Sequence, residues 1–304
     1  MTVLVLGGSG FIGSHLVDGL LAAGHRVRVF DRSPELFRAP LAGVDYRFGD
    51  FSDVPLLAEA LEGVDLVYHL LSTTVPSTSN LDPIADVNGN LVNSLRLLQL
   101  MVQKNIPKII YLSSGGTVYG IPECVPIPET HPLRPICSYG VVKVAIENYL
   151  HMFHELHGLQ YVVLRASNPY GERQGHAGVQ GVIGTFMQKI LAGDQIEIWG
   201  DGRVVRDYIY VGDLAELCVI AGRPEKVGVF NAGSGEGTSI NELINKLTSV
   251  TGMNLTYVNR TGRGYDVPRV VLDIGSTISN FGWLPSTTLD HGLITTWNWF
   301  LEGA

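Results

Sequence analysis

Short runs in which every residue is apolar alternate with longer, helix-like stretches through the first half of the chain. The runs are Val3 to Leu6, Val27 to Phe30, Leu66 to Leu70, Ile109 to Leu112 and Tyr161 to Leu164. Continuous apolarity of this kind suits strands covered on both faces, as in a parallel sheet between helices. Between them, Phe11 to Ala23, Ile84 to Lys104 and Tyr139 to His157 repeat apolar residues three and four positions apart, the period of a helix with one buried face. In the last of these, Val142, Ile146, Tyr149 and Phe153 fall on one face. That face packs on the sheet; the outer side, with that of the second helix, is a candidate seam between two copies.

The pattern predicts an α/β fold, a doubly wound parallel sheet of the Rossmann kind with a smaller C-terminal substrate-binding domain. After Arg165 the texture changes. Gly and Pro become frequent, strands shorten, and only Asp213 to Ala221 and Ile240 to Thr251 still read as helices. The expected division is a dinucleotide-binding domain over 1–165, with 206–232 returning to it, and a mainly substrate-binding part over 166–304.

Composition narrows the classes of function. In 304 residues, 45% are hydrophobic and 16% charged, enough for a full core. A formal charge of -8 gives no general pull toward nucleic acid or an anionic membrane, so any phosphate must be bound locally. No apolar stretch approaches the ~18 residues of a membrane span. The three cysteines, Cys124, Cys137 and Cys218, have no paired spacing, so neither a metal site nor a disulfide framework is expected. With no basic leader before the first apolar run, a cytoplasmic location is expected.

The first chemistry-bearing feature follows the first strand. Gly7-Gly8-Ser9-Gly10-Phe11-Ile12-Gly13 satisfies Gly-x-Gly-x-x-Gly at the opening of a helix, where glycines allow a tight turn and close approach of backbone to a pyrophosphate. Gly7, Gly10, Phe11, Ile12 and Gly13 are therefore candidate dinucleotide contacts. The second strand ends at Asp31, placed to accept from the adenosine ribose hydroxyls and to repel a 2'-phosphate, which favours NAD. Arg28 and Arg32 pull the other way. Asp50, after the third strand, is placed to hold the adenine amino group or else to cap the next helix; Phe51 and Leu70 complete the expected cofactor contacts.

Tyr139-Gly140-Val141-Val142-Lys143 sets a phenol and an ammonium four residues apart, on neighbouring turns of one helix face. A cation beside a phenol favours phenolate and makes tyrosine a usable base.

With these motifs, and with Tyr111-Leu112-Ser113-Ser114-Gly115-Gly116-Thr117-Val118-Tyr119-Gly120, Arg165-Ala166-Ser167-Asn168-Pro169-Tyr170-Gly171 and Arg206-Asp207-Tyr208-Ile209-Tyr210-Val211, the chain resembles the extended short-chain dehydrogenase/reductase family over essentially its whole length. The match is to its nucleotide-sugar epimerase branch. The resemblance implies bound NAD, a nucleotide-diphosphate sugar as substrate, and a homodimer packed through a four-helix bundle. It makes Tyr139 and Lys143 catalytic. It gives Asn168, Arg206 and Arg263 to the sugar diphosphate and Asp266 to the nucleoside ribose. Trp199 either offers its face to the base or is a core tryptophan. Arg206 either clamps the diphosphate or pairs with Asp207. Val270 aligns with a position where bulk restricts some relatives to unsubstituted hexoses, so UDP-N-acetylglucosamine is expected to be accepted besides UDP-glucose.

The departures from the family pattern are as informative. The Ser or Thr that usually shares the substrate hydroxyl with the tyrosine is Gly115 here, so Thr117, or Ser114 after it, is expected to supply that hydroxyl. Acids that related dehydratases and decarboxylases carry at the Gly116 and Thr117 positions are missing, which leaves epimerisation at C4 through a 4-keto sugar. The rival readings are a nucleotide-sugar reductase or dehydrogenase that consumes external cofactor, and a non-catalytic NAD sensor. Asp86 stands where many relatives have an asparagine near the cofactor, and a uronic acid substrate would draw on Thr117 or Arg173.

Overall fold

The computed structural model describes residues 1–174, 181–223, 226–262 and 267–303. The first half runs β1 (Thr2–Leu6), α1 (Phe11–Ala22), β2 (Arg26–Asp31), β3 (Val44–Phe48), α2 (Val54–Ala60) and β4 (Leu66–His69). It continues with α3 (Pro83–Asp86), a π-helical turn (Val87–Val92), α4 (Asn93–Gln103), β5 (Lys108–Ser114), α5 (Ser138–His157) and β6 (Gln160–Ala166). The rest comprises β7 (Asn168–Tyr170), α6 (Val182–Ala192), β8 (Ile196–Trp199), β9 (Val205–Arg206), β10 (Tyr208–Tyr210) and α7 (Val211–Gly222). After these come β11 (Gly228–Ala232), β12 (Thr238–Ser239), α8 (Ile240–Thr251), β13 (Tyr257–Arg260), β14 (Arg269–Val270), α9 (Gly275–Phe281) and α10 (Leu289–Glu302).

Seven strands form one sheet in the order β11-β6-β5-β4-β1-β2-β3, and every neighbouring pair is parallel. This is the doubly wound sheet expected from the apolar runs. The two faces are legible residue by residue. Val3 and Val5 of β1 join Leu16, Val17 and Leu20 of α1 and Leu214 and Leu217 of α7 on one side. Leu4 and Leu6 turn to the other side, against Leu97, Leu98 and Met101 of α4 and Val142, Ile146 and Leu150 of α5. Each such side chain contributes roughly 1.5–3 kcal/mol on burial, which is why period-2 alternation vanishes from a strand covered twice. Strand β11 closes the far edge beside β6, so the chain returns to the large sheet late. A separate core around Phe186, Met187, Ile198, Leu243, Leu247 and Trp297 holds α6, β8, α8 and α10 together.

The strand order reverses at β1, which is flanked by β2 and β4. In open parallel sheets the crevice outside the carboxyl ends of the strands at such a point takes the ligand. Both the glycine loop and the end of β4 lie there.

The stretch 84–104, expected as one helix, is in three pieces. Its middle turn is π-helical, and the reason is local. A Cβ at Gly89 would lie 2.6 Å from Thr73 Oγ1, and the side chain of Asn90 turns inward to bond Thr73 N and Asp86. The wider turn lets Asp86 and Asn90 face the same interior.

Candidate active site

The glycine loop is shaped by backbone, not by side chains. Gly7 has φ +84, a conformation disfavoured for residues with a Cβ. A Cβ at Gly13 would sit 2.0 Å from Gly7 O and 2.7 Å from Gly8 Cα. Gly10 is the N-cap of α1 and no side chain caps that end, so the first-turn N–H groups of the helix are offered to an anion. The hydroxyl of Ser9 is buried without a partner. Such a cradle fits the pyrophosphate of a dinucleotide.

Asp31 ends β2 beside this loop. Its carboxylate accepts from Ser9 N at 3.1 Å and Arg32 N at 2.7 Å, and burial raises its pKa above the usual carboxylate value. Arg28, which weighed against NAD, is turned away: it pairs with Asp45 and donates to Ala60 O and Glu62 O. Asp50 is exposed and accepts from Ser52 N and Oγ, which lowers its pKa. The capping of α2 belongs to Asp53 instead, through Leu56 N. The Phe51 ring is in the core against His69, so a nucleotide can reach only its main chain. Leu70 follows β4, where the Leu70–Leu71 main chain lies against Gly7.

Tyr139 and Lys143 occupy the first turns of α5. Both line one small cavity with Ser72, Asp86, Asn90 and Tyr111. Gly140 permits this placement, since a Cβ there would lie 2.8 Å from Thr117 O. The expectation that the lysine lowers the phenol pKa is corrected here. Burial raises Tyr139 well above its ordinary value, against a smaller opposing effect of the neighbouring Ser72 hydroxyl. The ammonium lies 5.4 Å from the Tyr139 ring centroid and 4.7 Å from that of Tyr111, and the hydrogen bond it donates goes to Leu112 O at 2.9 Å. Its own pKa is pushed down to about 8 by burial, with Glu147 and Asp86 opposing that shift. With its pKa raised, the phenol is protonated near neutral pH.

Gly115 is explained by its neighbours. A Cβ there would lie 2.6 Å from Leu272 Cδ1 and 3.0 Å from Arg165 O, and Leu272 is fully buried. The space that a family serine would use is filled by leucine. The hydroxyl of Thr117 is buried without a partner, free to serve a ligand once one enters. Gly115→Ser is expected to destabilise by about 1–3 kcal/mol through overpacking. Adding Leu272→Ala should cost less than the sum of the two single changes by about 1 kcal/mol or more, because the two sites share one space. Urea unfolding of the four proteins measures this, and simple additivity would refute the shared-space account.

On the substrate side, a cavity of about 390 Å³ gathers Asn168, Trp199 and Arg206 with Phe186, Tyr208 and Glu197. Trp199 is 43% exposed and is no core tryptophan. Asn168 is fixed by bonds from its N and Nδ2 to Asp207 O. Arg206 donates to Val205 O and Val267 O. The carboxylate of Asp207 is buried and accepts from Ser234, Gly235 N and Leu272 N. Val270 pairs with Arg206 across β14 and β9 and packs with Val118 and Tyr119. Arg173 is committed to Asp18 of α1 at 2.9 Å. Arg263 and Asp266 lie outside the described residues.

Sequence reasoning missed the buried network behind the lysine. Glu147, one turn beyond Lys143, binds Arg165 through both carboxylate oxygens and accepts from Ser113; Arg165 continues to Tyr119, and Tyr119 to Asn231. An acid on the sheet-facing side of α5 was the signal available, since a charge there needs a partner.

Comparison with known proteins places the chain among sugar-nucleotide enzymes. The NAD dependent epimerase/dehydratase family matches residues 3–233. A putative UDP-glucose 4-epimerase of Methanocaldococcus jannaschii is 34% identical over 98% of this chain and 97% of its own length. The crystal structure of a UDP-glucose 4-epimerase from Thermotoga maritima with UDP-glucose superposes with a TM-score of 0.96 at 35% identity, covering 100% of this chain and 99% of that one. The Thermus thermophilus UDP-glucose 4-epimerase in complex with NAD gives a TM-score of 0.94 at 33% identity, with both chains fully covered.

Proposed function

The chain belongs to the NAD dependent epimerase/dehydratase family, and we propose that within it the protein inverts C4 of a UDP-sugar through a 4-keto intermediate. The observation that carries this reading is the pairing of Tyr139 with Lys143 in one cavity of α5, with no acid at Gly116 or Thr117 to drive elimination or decarboxylation. The enzyme is an NAD-dependent isomerase, as the relatives' activities also indicate.

The residues divide the work. The glycine loop and the α1 N-terminus hold the pyrophosphate, Asp31 the adenosine ribose, and Asp50 the adenine. NAD, when bound there, would supply reversible two-electron redox chemistry at C4. Tyr139 takes the proton of the sugar 4-hydroxyl as C4 is oxidised and returns it when C4 is reduced from the other face. Thr117, with Ser114 beside it, donates to the oxygen at C4. Arg206 and Arg263 hold the diphosphate while the ring turns about that linkage, a task suited to fixed guanidinium charge. Trp199 stacks on the base, and Asp266 takes the nucleoside ribose.

Val270 leaves room beside the sugar for an N-acetyl group, so UDP-N-acetylglucosamine is a substrate besides UDP-glucose. Val270→Tyr is expected to lower kcat/KM for the N-acetylated sugar roughly 10-fold more than for UDP-glucose; an equal loss for both would remove the volume argument. The function itself is tested by incubating pure protein with UDP-, dTDP- and GDP-sugars without added cofactor and following the C4 configuration by NMR. Turnover seen only with added NAD(H), with a steady absorbance change, would instead establish a reductase or dehydrogenase.

Val141, Met152 and Leu156 are exposed along one side of α5, and Ile84 and Val87 are exposed before α4. This apolar surface supports a homodimer built from these helices of two copies. Light scattering at micromolar concentration decides between dimer and monomer.

A further inference from the structure

Asp86 is 0% exposed and carries a carboxylate, a combination that is costly unless the group is fully bonded. Its three donors come from three different segments. Thr74 Oγ1, in the loop after β4, lies 2.7 Å from Oδ1; Asn90 Nδ2, in the π turn, lies 2.8 Å from the same oxygen; Ser138 Oγ, the first residue of α5, lies 2.6 Å from Oδ2. Ser138 is held from its other side as well, by its N–H on Asn80 Oδ1 at 2.8 Å. The N-cap of α5, Cys137, makes no side-chain capping bond, so these two bonds to Ser138 fix where the helix starts. Tyr139 is the next residue.

We propose that Asp86 is a positioning residue for the Tyr139 phenol, tying the loop on the cofactor side of β4 to the first turn of the catalytic helix. The π turn is part of the same device. It brings Asn90 inward so that one amide bonds both Asp86 and Thr73 N, and the loop that carries Ser72, which lines the same cavity as Tyr139, is thereby fastened to Asp86. The phenol is oriented from two directions by one carboxylate that makes no bond to it. This rests on the reading of Tyr139 as the base.

The test uses Asp86→Asn, Ser138→Ala, their double variant, Ser138→Thr and Tyr139→Phe, each assayed for kcat, KM, bound NAD per chain and melting temperature. Asp86→Asn should lower kcat by about 10²-fold, the cost of a small misplacement at a reacting group. Ser138→Ala should lower kcat by about 10-fold, with KM for the UDP-sugar changed by less than about 3-fold in both. The double variant should be no slower than Asp86→Asn, Ser138→Thr should recover most of the wild-type rate, and bound NAD should stay at the wild-type level. Multiplying losses in the double variant, no rescue by threonine, or a fall in bound NAD parallel to kcat would overturn the proposal. If Asp86→Asn does not fold, the alanine and threonine variants at Ser138 decide. An active Tyr139→Phe would remove the base assignment and this proposal together, whereas an inactive Tyr139→Phe beside an unimpaired Asp86→Asn and Ser138→Ala would remove the positioning role alone.

Discussion

Tyr139→Phe is expected to lower kcat by about 10²- to 10⁴-fold, the usual contribution of a positioned acid or base, while leaving bound NAD and UDP affinity near wild type. The change removes one oxygen from a side chain whose ring packs beside Lys143 and Tyr111, so the cavity keeps its shape. Because burial raises the phenol pKa, the wild-type rate should climb with pH through the acid side of the profile. That climb should vanish in the variant. Measuring kcat, NAD content and UDP binding together separates this from a general loss of folding, and a variant keeping most of its turnover would leave the proton with no carrier.

Gly13→Ala is expected to abolish bound NAD and to lower the melting temperature. The added methyl would meet Gly7 O at 2.0 Å and Gly8 Cα at 2.7 Å, both backbone atoms of the loop proposed to receive the pyrophosphate, so the loop itself must move. Overpacking of this kind costs about 1–3 kcal/mol or more, and the displaced loop loses its fit to phosphate. Gly24→Ala is the control. Gly24 has positive φ, +78, but a Cβ there meets nothing within 4 Å, so only conformational strain of about 1 kcal/mol is expected and NAD should remain. Nucleotide released from each denatured protein, measured chromatographically, gives the answer; full NAD in Gly13→Ala would refute the cradle.

The position of Gly115 shows how a departure from pattern acquires a cause. In the chain it reads as a missing hydroxyl. In three dimensions it is one half of a contact with Leu272, so the loss is compensated in volume. The orphaned Thr117 hydroxyl nearby supports its proposed role as the replacement donor.

The amino-acid order by itself determined the alternation of buried strands with amphipathic helices, the turn at Gly7 to Gly13, the acid at the end of β2 and the spacing of Tyr139 and Lys143. These are local facts, set by periodicity, by φ and by one turn of helix, and each reappears in the folded chain. The gathering of Asn168, Trp199 and Arg206 into one cavity was implied only through resemblance. Tertiary structure decided the rest. Whether Asp50 or Asp53 caps α2 depends on a turn geometry that two acids three residues apart satisfy equally well on paper. The π turn accompanies the approach of Thr73 to Gly89, a contact with the loop after β4 that a helical period does not reveal. The expected lowering of the Tyr139 pKa is reversed because burial, which no spacing reveals, raises it, while the Lys143 ammonium donates its hydrogen bond to Leu112 O. Charge and volume at a buried site are sums over neighbours from many segments, and only the fold chooses those neighbours.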